Sequence, residues 1–214
     1  MTVLVPAACL EGSNLAGKTI SEADLKGSDL RRAVLSRAKL TNVDLCSVNL
    51  TEADLSGAML SNCNLTGANL TCVTARGAIF ESCVMDHAIF RLADLSEAEI
   101  SKCTLSRASF ERAGLTQADL LGVTGEDVNF EFAGCELAQI CSCSFIRAVF
   151  VGVTFAGARV WDSDFEGADF FWAEMEPNWF RNCRLKNARL PKSEVVVPEV
   201  PPIPLHRRSK SASR

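Results

Sequence analysis

Tyrosine is absent from the 214 residues, and histidine occurs only twice, at His87 and His206. One histidine at a chain corner and one in a tail cannot form an acid–base pair. Serine and threonine are abundant, but no base accompanies them, so a nucleophile would have nothing to activate it. No GxGxxG or phosphate-loop motif occurs. No apolar run approaches the length of a membrane span, and Met1 to Leu10 lacks both the basic start and the apolar length of a signal peptide. Strong positive charge is missing too. The net charge is −4, and from Pro191 onward five basic residues face two acidic ones, so the remainder is more acidic still. An acidic body disfavours direct contact with nucleic acid or anionic membrane. The expectation is a cytoplasmic, non-enzymatic protein with no catalytic residue, cofactor or metal.

What is present is a period of five. Every residue whose number is a multiple of five, from Leu10 to Leu190, is apolar or small: 18 of these 37 are Leu, ten are Phe, three Ile and two Met. The other four are Ala75, Gly125, Cys135 and Val160. Two residues earlier the chain places Ala, Val, Cys or Ser, with Lys18 and Asn178 as exceptions near the ends. The residue between the small and the large one is often Asp or Asn. Two mostly small or polar residues follow, and ten of the 13 glycines fall on the second of them, which marks a turn with positive φ. Five matches neither the 3.6 of an α-helix nor the 2 of a long strand. It fits short extended pieces joined by corners, and one such unit must stack on copies of itself to bury its apolar pair.

The unit A(D/N)LXX, as in Ala53-Asp54-Leu55-Ser56-Gly57, resembles the pentapeptide-repeat family, and it runs over residues 8–190. The resemblance implies an all-β fold, a right-handed quadrilateral parallel β-helix with four pentads and hence twenty residues per coil. Thirty-seven pentads then give a little over nine coils, roughly 44 Å of rod at the usual strand spacing. Residues 1–7 read as a lead-in. Residues 191–214 read as a proline-rich, then basic, disordered tail, in which Val195-Val196-Val197 could cap the open end of the helix.

Stacking at twenty places Phe90, Phe110, Phe130, Phe150 and Phe170 in one interior ladder. It also puts Cys63, Cys83, Cys103, Cys143 and Cys183 in one column, broken by Val123 and Ser163. A line of thiols cannot make a tetrahedral zinc site, so these read as small apolar fillers. Cys141-Ser142-Cys143 resembles half a metal site in sequence only. Cys46, Cys72 and Cys141 fall on corners, which marks them as the candidate exposed thiols.

Candidate contact residues come from the surface positions. Between Arg112 and Arg147 stand Asp119, Glu126, Asp127, Glu131 and Glu136 with no base among them. Asp162, Asp164, Glu166, Asp169, Glu174 and Glu176 form a second acidic block, followed by Arg181, Arg184, Lys186, Arg189 and Lys192. Apolar corners are few before residue 120 and common after it: Leu121, Phe132, Leu137, Ile146, Val151, Trp161, Phe171 and Trp172. Such patches mark interfaces, unless the tail covers them. Two functions remain open. One is a rigid protein-interaction scaffold, including a homodimer through the C-terminal end. The other rests on the resemblance: some family members, those of quinolone resistance, mimic DNA and protect a type II topoisomerase (DNA gyrase or topoisomerase IV). The modest charge and the interleaved Arg31, Arg32 and Arg37 weigh against the second.

Overall fold

The computed structural model describes residues 6–175 and 180–191. Most of the expected lead-in, the tail with its valine cap, Glu176 and Asn178 lie outside them. Nine strands make one parallel sheet in sequence order. They are β1 Thr19–Ser21, β2 Lys39–Thr41, β3 Met59–Ser61, β4 Ile79–Glu81, β5 Glu99–Ser101, β6 Asp119–Leu121, β7 Gln139–Cys141, β8 Arg159–Trp161 and β9 Phe180–Arg181. Each pairs with the next at a register of twenty, Leu40 with Leu60 and Ile140 with Val160. The other three sides of each coil pair by single parallel bridges at the same offset, such as Asp24 with Asp44 and Asn49 with Asn69. The result is a β-solenoid of eight full turns between β1 and β9. Among the described residues, no helix is long and apolar enough to cross a membrane.

The pentad explains itself in hydrogen bonds. The large residue donates its N–H to the next coil, as Leu50 does to the Asn69 carbonyl at 2.7 Å, and the residue before it donates to the previous coil, as Asn49 does to Ser28 at 2.9 Å. The Asp or Asn between small and large residues accepts the N–H two residues on: Asp54 from Ser56 at 2.9 Å, Asn69 from Thr71 at 3.1 Å, Asp164 from Glu166 at 2.9 Å. These Asx bonds set the chain for its turn. On three sides the turn then closes by a bond from residue i+3 to i, as from Ala53 N–H to the Leu50 carbonyl at 3.0 Å, except at the corner after Gly125. The second corner residue takes positive φ throughout the described chain, in ten glycines and also in 26 other residues, Phe132, Leu137 and Trp172 among them. The glycine signal therefore marks a conformation that the whole rod uses. A left-handed residue costs of the order of 1 kcal/mol when it is not glycine, and stacking imposes it regardless.

Within the coil the aromatic ladder is present. Phe90, Phe110, Phe130, Phe150 and Phe170 stack with centroids 4.7–4.9 Å apart and planes within 14° of parallel. The spacing equals the coil rise, so the rings repeat face on face without tilting away. Gly125 interrupts the neighbouring column of large residues. A Cβ there would come within 2.6 Å of Val128 Cγ2 and 3.1 Å of the Leu105 backbone. Val128 thus occupies the volume that Gly125 leaves open, and Phe145 meets Phe130 edge-on at 5.4 Å in the next coil.

Candidate interaction surface

The fourth corner of each coil, the one after the strand, behaves differently. Among the described residues no i+3 bond closes it, because the strand carbonyl is already engaged in the sheet ladder. The N–H that follows this corner needs another acceptor, and the column of small residues there supplies it. Cys83 N–H donates to Cys103 Sγ at 3.4 Å and Cys143 N–H to Ser163 Oγ at 3.0 Å. The thiols in turn donate to carbonyls 23 residues back, Cys63 to Leu40, Cys83 to Leu60, Cys103 to Phe80 and Cys143 to Leu120, all at 3.4–3.5 Å. A cysteine or serine in this column can serve as that acceptor, as Cys103 and Ser163 do, and an alanine cannot. Burial pushes the Cys143 thiol up to about 12 and that of Cys183 to about 11. No group of three or more His, Cys, Asp or Glu among the described residues could hold a metal ion. Cys141, expected on an exposed corner, is buried, and Cys46 is half-buried, while Cys72 and Cys9 are exposed. Cys141 sinks because it sits in register between Leu121 and Trp161, whose larger side chains flank it.

The charged surface is rearranged by the same register. Runs of one sign in the sequence meet runs of the other sign one coil later. Arg147 reaches Glu126 at 2.6 Å and Asp127 at 2.8 Å. Arg184 reaches Asp164 at 3.4 Å and Glu166 at 2.5 Å, Lys186 also meets Glu166, and Arg189 meets Asp169. The Arg147 hydrogen bond holds the Asp127 carboxyl below its usual range, as Arg31 does for Asp29. Asp162 accepts from the Asn182 amide at 2.7 Å and Asp119 from Gln139 at 2.7 Å. The acidic bands expected from the sequence are thus partly neutralised along one corner and the two sides that flank it. Among the described residues Asp119, Glu131 and Glu136 meet no base.

The apolar corners of the C-terminal half lie where the period puts them. Leu121 is 51% exposed, Phe132 47%, Leu137 52% and Trp172 67%. Leu121, Cys141 and Trp161 form one row, with Trp161 half-buried. On another corner Trp172 stacks on Phe171 at 4.5 Å, and the Arg189 guanidinium covers the Phe171 ring at 3.9 Å. The edge of the Phe132 ring reaches over Gly152: a Cβ on Gly152 would come within 2.5 Å of it. Leu137 lies over Gly157 in the same way, at 2.7 Å. The sequence reading passed over four exposed apolar residues in the first half, Met59, Val84, Ile89 and Leu92. The first three occupy the outward position between small and large residues, so the five-residue phase itself was the signal.

Comparison with known families matches pentapeptide repeats, in eight copies, over residues 8–51, 48–86, 76–112, 88–124 and 135–170. No curated protein matches significantly. Among solved structures the chain is similar to HetL, a pentapeptide repeat protein involved in heterocyst differentiation regulation from the cyanobacterium Nostoc sp. strain PCC 7120. The identity is 24% and the TM-score 0.65, over 87% of this chain and 86% of that one. It is also similar to QnrB1, a plasmid-mediated fluoroquinolone resistance protein, at 19% identity and a TM-score of 0.52, over 89% of this chain and 92% of that one. At these identities the likeness is one of fold.

Proposed function

The chain belongs to the pentapeptide-repeat family, and on that premise we propose that it acts without catalysis, as a rigid rod whose C-terminal half binds a protein partner. The observation that carries this reading is the set of large apolar side chains held at exposed corners, Leu121, Phe132, Leu137 and Trp172. The core does not need them, and desolvating such groups is what drives association. The thiols of Cys63, Cys83, Cys103 and Cys143 are buried and occupied in coil-to-coil hydrogen bonds. The test compares the full chain with a Phe132→Ser/Trp172→Ser variant, each immobilised and exposed to extract of the native host, with light scattering for self-association. Partners retained, or dimers formed, by the first chain only are the expected result. Equal retention by both chains, or none by either, refutes the reading.

A second reading is a DNA mimic that binds a type II topoisomerase. The net charge of −4 and the rod shape favour it, while the ion pairs of Arg147, Arg184 and Arg189 interrupt any continuous negative stripe. A gyrase supercoiling assay with and without ciprofloxacin tests it, and no effect at micromolar protein rejects it.

A further inference from the structure

One side of the rod differs from the other three. Its outward positions run Asp94, Gly114, Gly134, Thr154 and Glu174, so two consecutive coils carry no side chain there. Bare backbone lets another molecule approach closely. Glu136 folds across this strip, its Oε2 only 3.0 Å from where a Gly134 Cβ would sit. Two hydroxyls hold the carboxylate in place, Thr116 Oγ1 donating at 3.1 Å and Thr154 Oγ1 from the coil above. Burial works against its ionisation, but the Thr154 hydroxyl, its own amide and Thr116 outweigh it and keep the carboxyl below its usual range. No base among the described residues meets it. The exposed Phe132 and Leu137 rise on the corners at either side of the strip, both tilted over the glycine corners of the next coil.

We propose that this face, with Glu136 between Phe132 and Leu137, receives a lysine or arginine set among aliphatic residues on a partner protein. The proposal rests on the protein-binding reading above and names the chemistry of the partner. Charge complementarity selects the occupant. A carboxylate with two hydroxyls already donating to it offers only acceptor capacity outward, and its negative charge is unmatched, unlike those of Glu126, Asp127, Asp164 and Asp169. The stem of a long cationic side chain lies along apolar surface while its head reaches the acceptor, and a cation over the Phe132 ring gains further.

The amides of Gly114 and Gly134 report on the site in nitrogen–proton NMR spectra of the full chain. The probe is the blocked peptide Gly-Leu-Lys-Leu-Gly, with norleucine in place of lysine as the control. The lysine peptide is expected to shift both glycine amides saturably and the norleucine peptide to leave them unmoved. Glu136→Gln is expected to weaken binding about tenfold, the loss of one charge-assisted contact, with the rest of the spectrum unchanged. Equal binding of the two peptides, or no shift at millimolar peptide, overturns the proposal. Shifts confined to the Trp172 indole overturn this site while sparing the protein-binding reading. Glycine shifts that follow protein concentration without peptide would assign the face to a second copy. A changed Gly134 amide on truncation after Pro191 would assign it to the chain's own C-terminal segment. Either result overturns the proposal.

Discussion

Replacing Phe110 by alanine removes a ring that is fully buried and stacked at 4.7 Å on Phe90 and 4.9 Å on Phe130. A buried Phe→Ala change costs about 3–5 kcal/mol in transfer and cavity terms. Each stacked pair contributes about 0.5–1.5 kcal/mol beyond its area. The neighbours cannot close the gap, because each is fixed to its own coil by main-chain bonds. The expected loss is therefore near the top of that range, about 5 kcal/mol, or a fall in melting temperature of roughly 10–20 °C for a domain of this size. Phe110→Leu is the control, because Leu50 and Leu70 already fill the same column: it forfeits the two stacked pairs but keeps most of the buried volume, and should cost about 1–3 kcal/mol. Urea unfolding followed by circular dichroism measures both, with an unchanged m-value showing that the rod still unfolds as one unit. A loss below about 2 kcal/mol for the alanine variant would mean that the ladder is not a rigid stack, and the reasoning from the twenty-residue register would fail.

Gly125→Ala should destabilise the rod by about 1–3 kcal/mol through overpacking, and adding Val128→Ala should recover part of that in the same urea titration; an unchanged midpoint for the single variant would contradict the contact of 2.6 Å. Asp29, Asp54, Asp127 and Glu136 all have carboxyls held below their usual range; for Asp54 burial opposes ionisation, and the Ser56 and Ser36 hydrogen bonds outweigh it. Since the folded form of each ionises at lower pH than the unfolded form, their stabilisation is complete above the unfolded pKa and lost as pH falls, so the melting temperature should drop between about pH 4 and pH 2, and a flat profile there would deny these bonds any part in stability. Ellman's reagent should titrate Cys9 and Cys72 at once, Cys46 more slowly, and Cys63, Cys83, Cys103, Cys135, Cys141 and Cys143 only after denaturation; a core thiol reacting as fast as Cys72 would show that the coil opens there.

The fold was legible because one physical demand, stacking at twenty, repeats itself in the letters. Phe90 to Phe170, the cysteine column and the outward positions all follow from counting by fives. The open corner after each strand was not legible, since its missing turn bond leaves no residue preference except the acceptor it recruits, and that appeared only as an unexplained line of cysteines. Charge was the least readable feature. Asp127 and Arg147 look segregated along the chain because one dimension hides the neighbour one coil away. The expected exposure of Cys141 failed for a related reason, because corner position says nothing about the bulk of Leu121 and Trp161 on either side. Glu136 stood among the candidate residues merely as one acid of a run, and its special setting needed Gly134, Thr116 and Thr154, which come from three different coils.

The repeat also works as an indexing device. Adding or removing five residues between two coils would preserve the alternation of small and large interior residues, yet turn everything downstream by a quarter revolution. Twenty residues would lengthen or shorten the rod and restore the original alignment. Contact groups on this molecule can therefore be re-aimed relative to one another by changes that leave the interior chemistry untouched, and the spacing of any two of them in sequence is a direct readout of both their height along the axis and the direction they face.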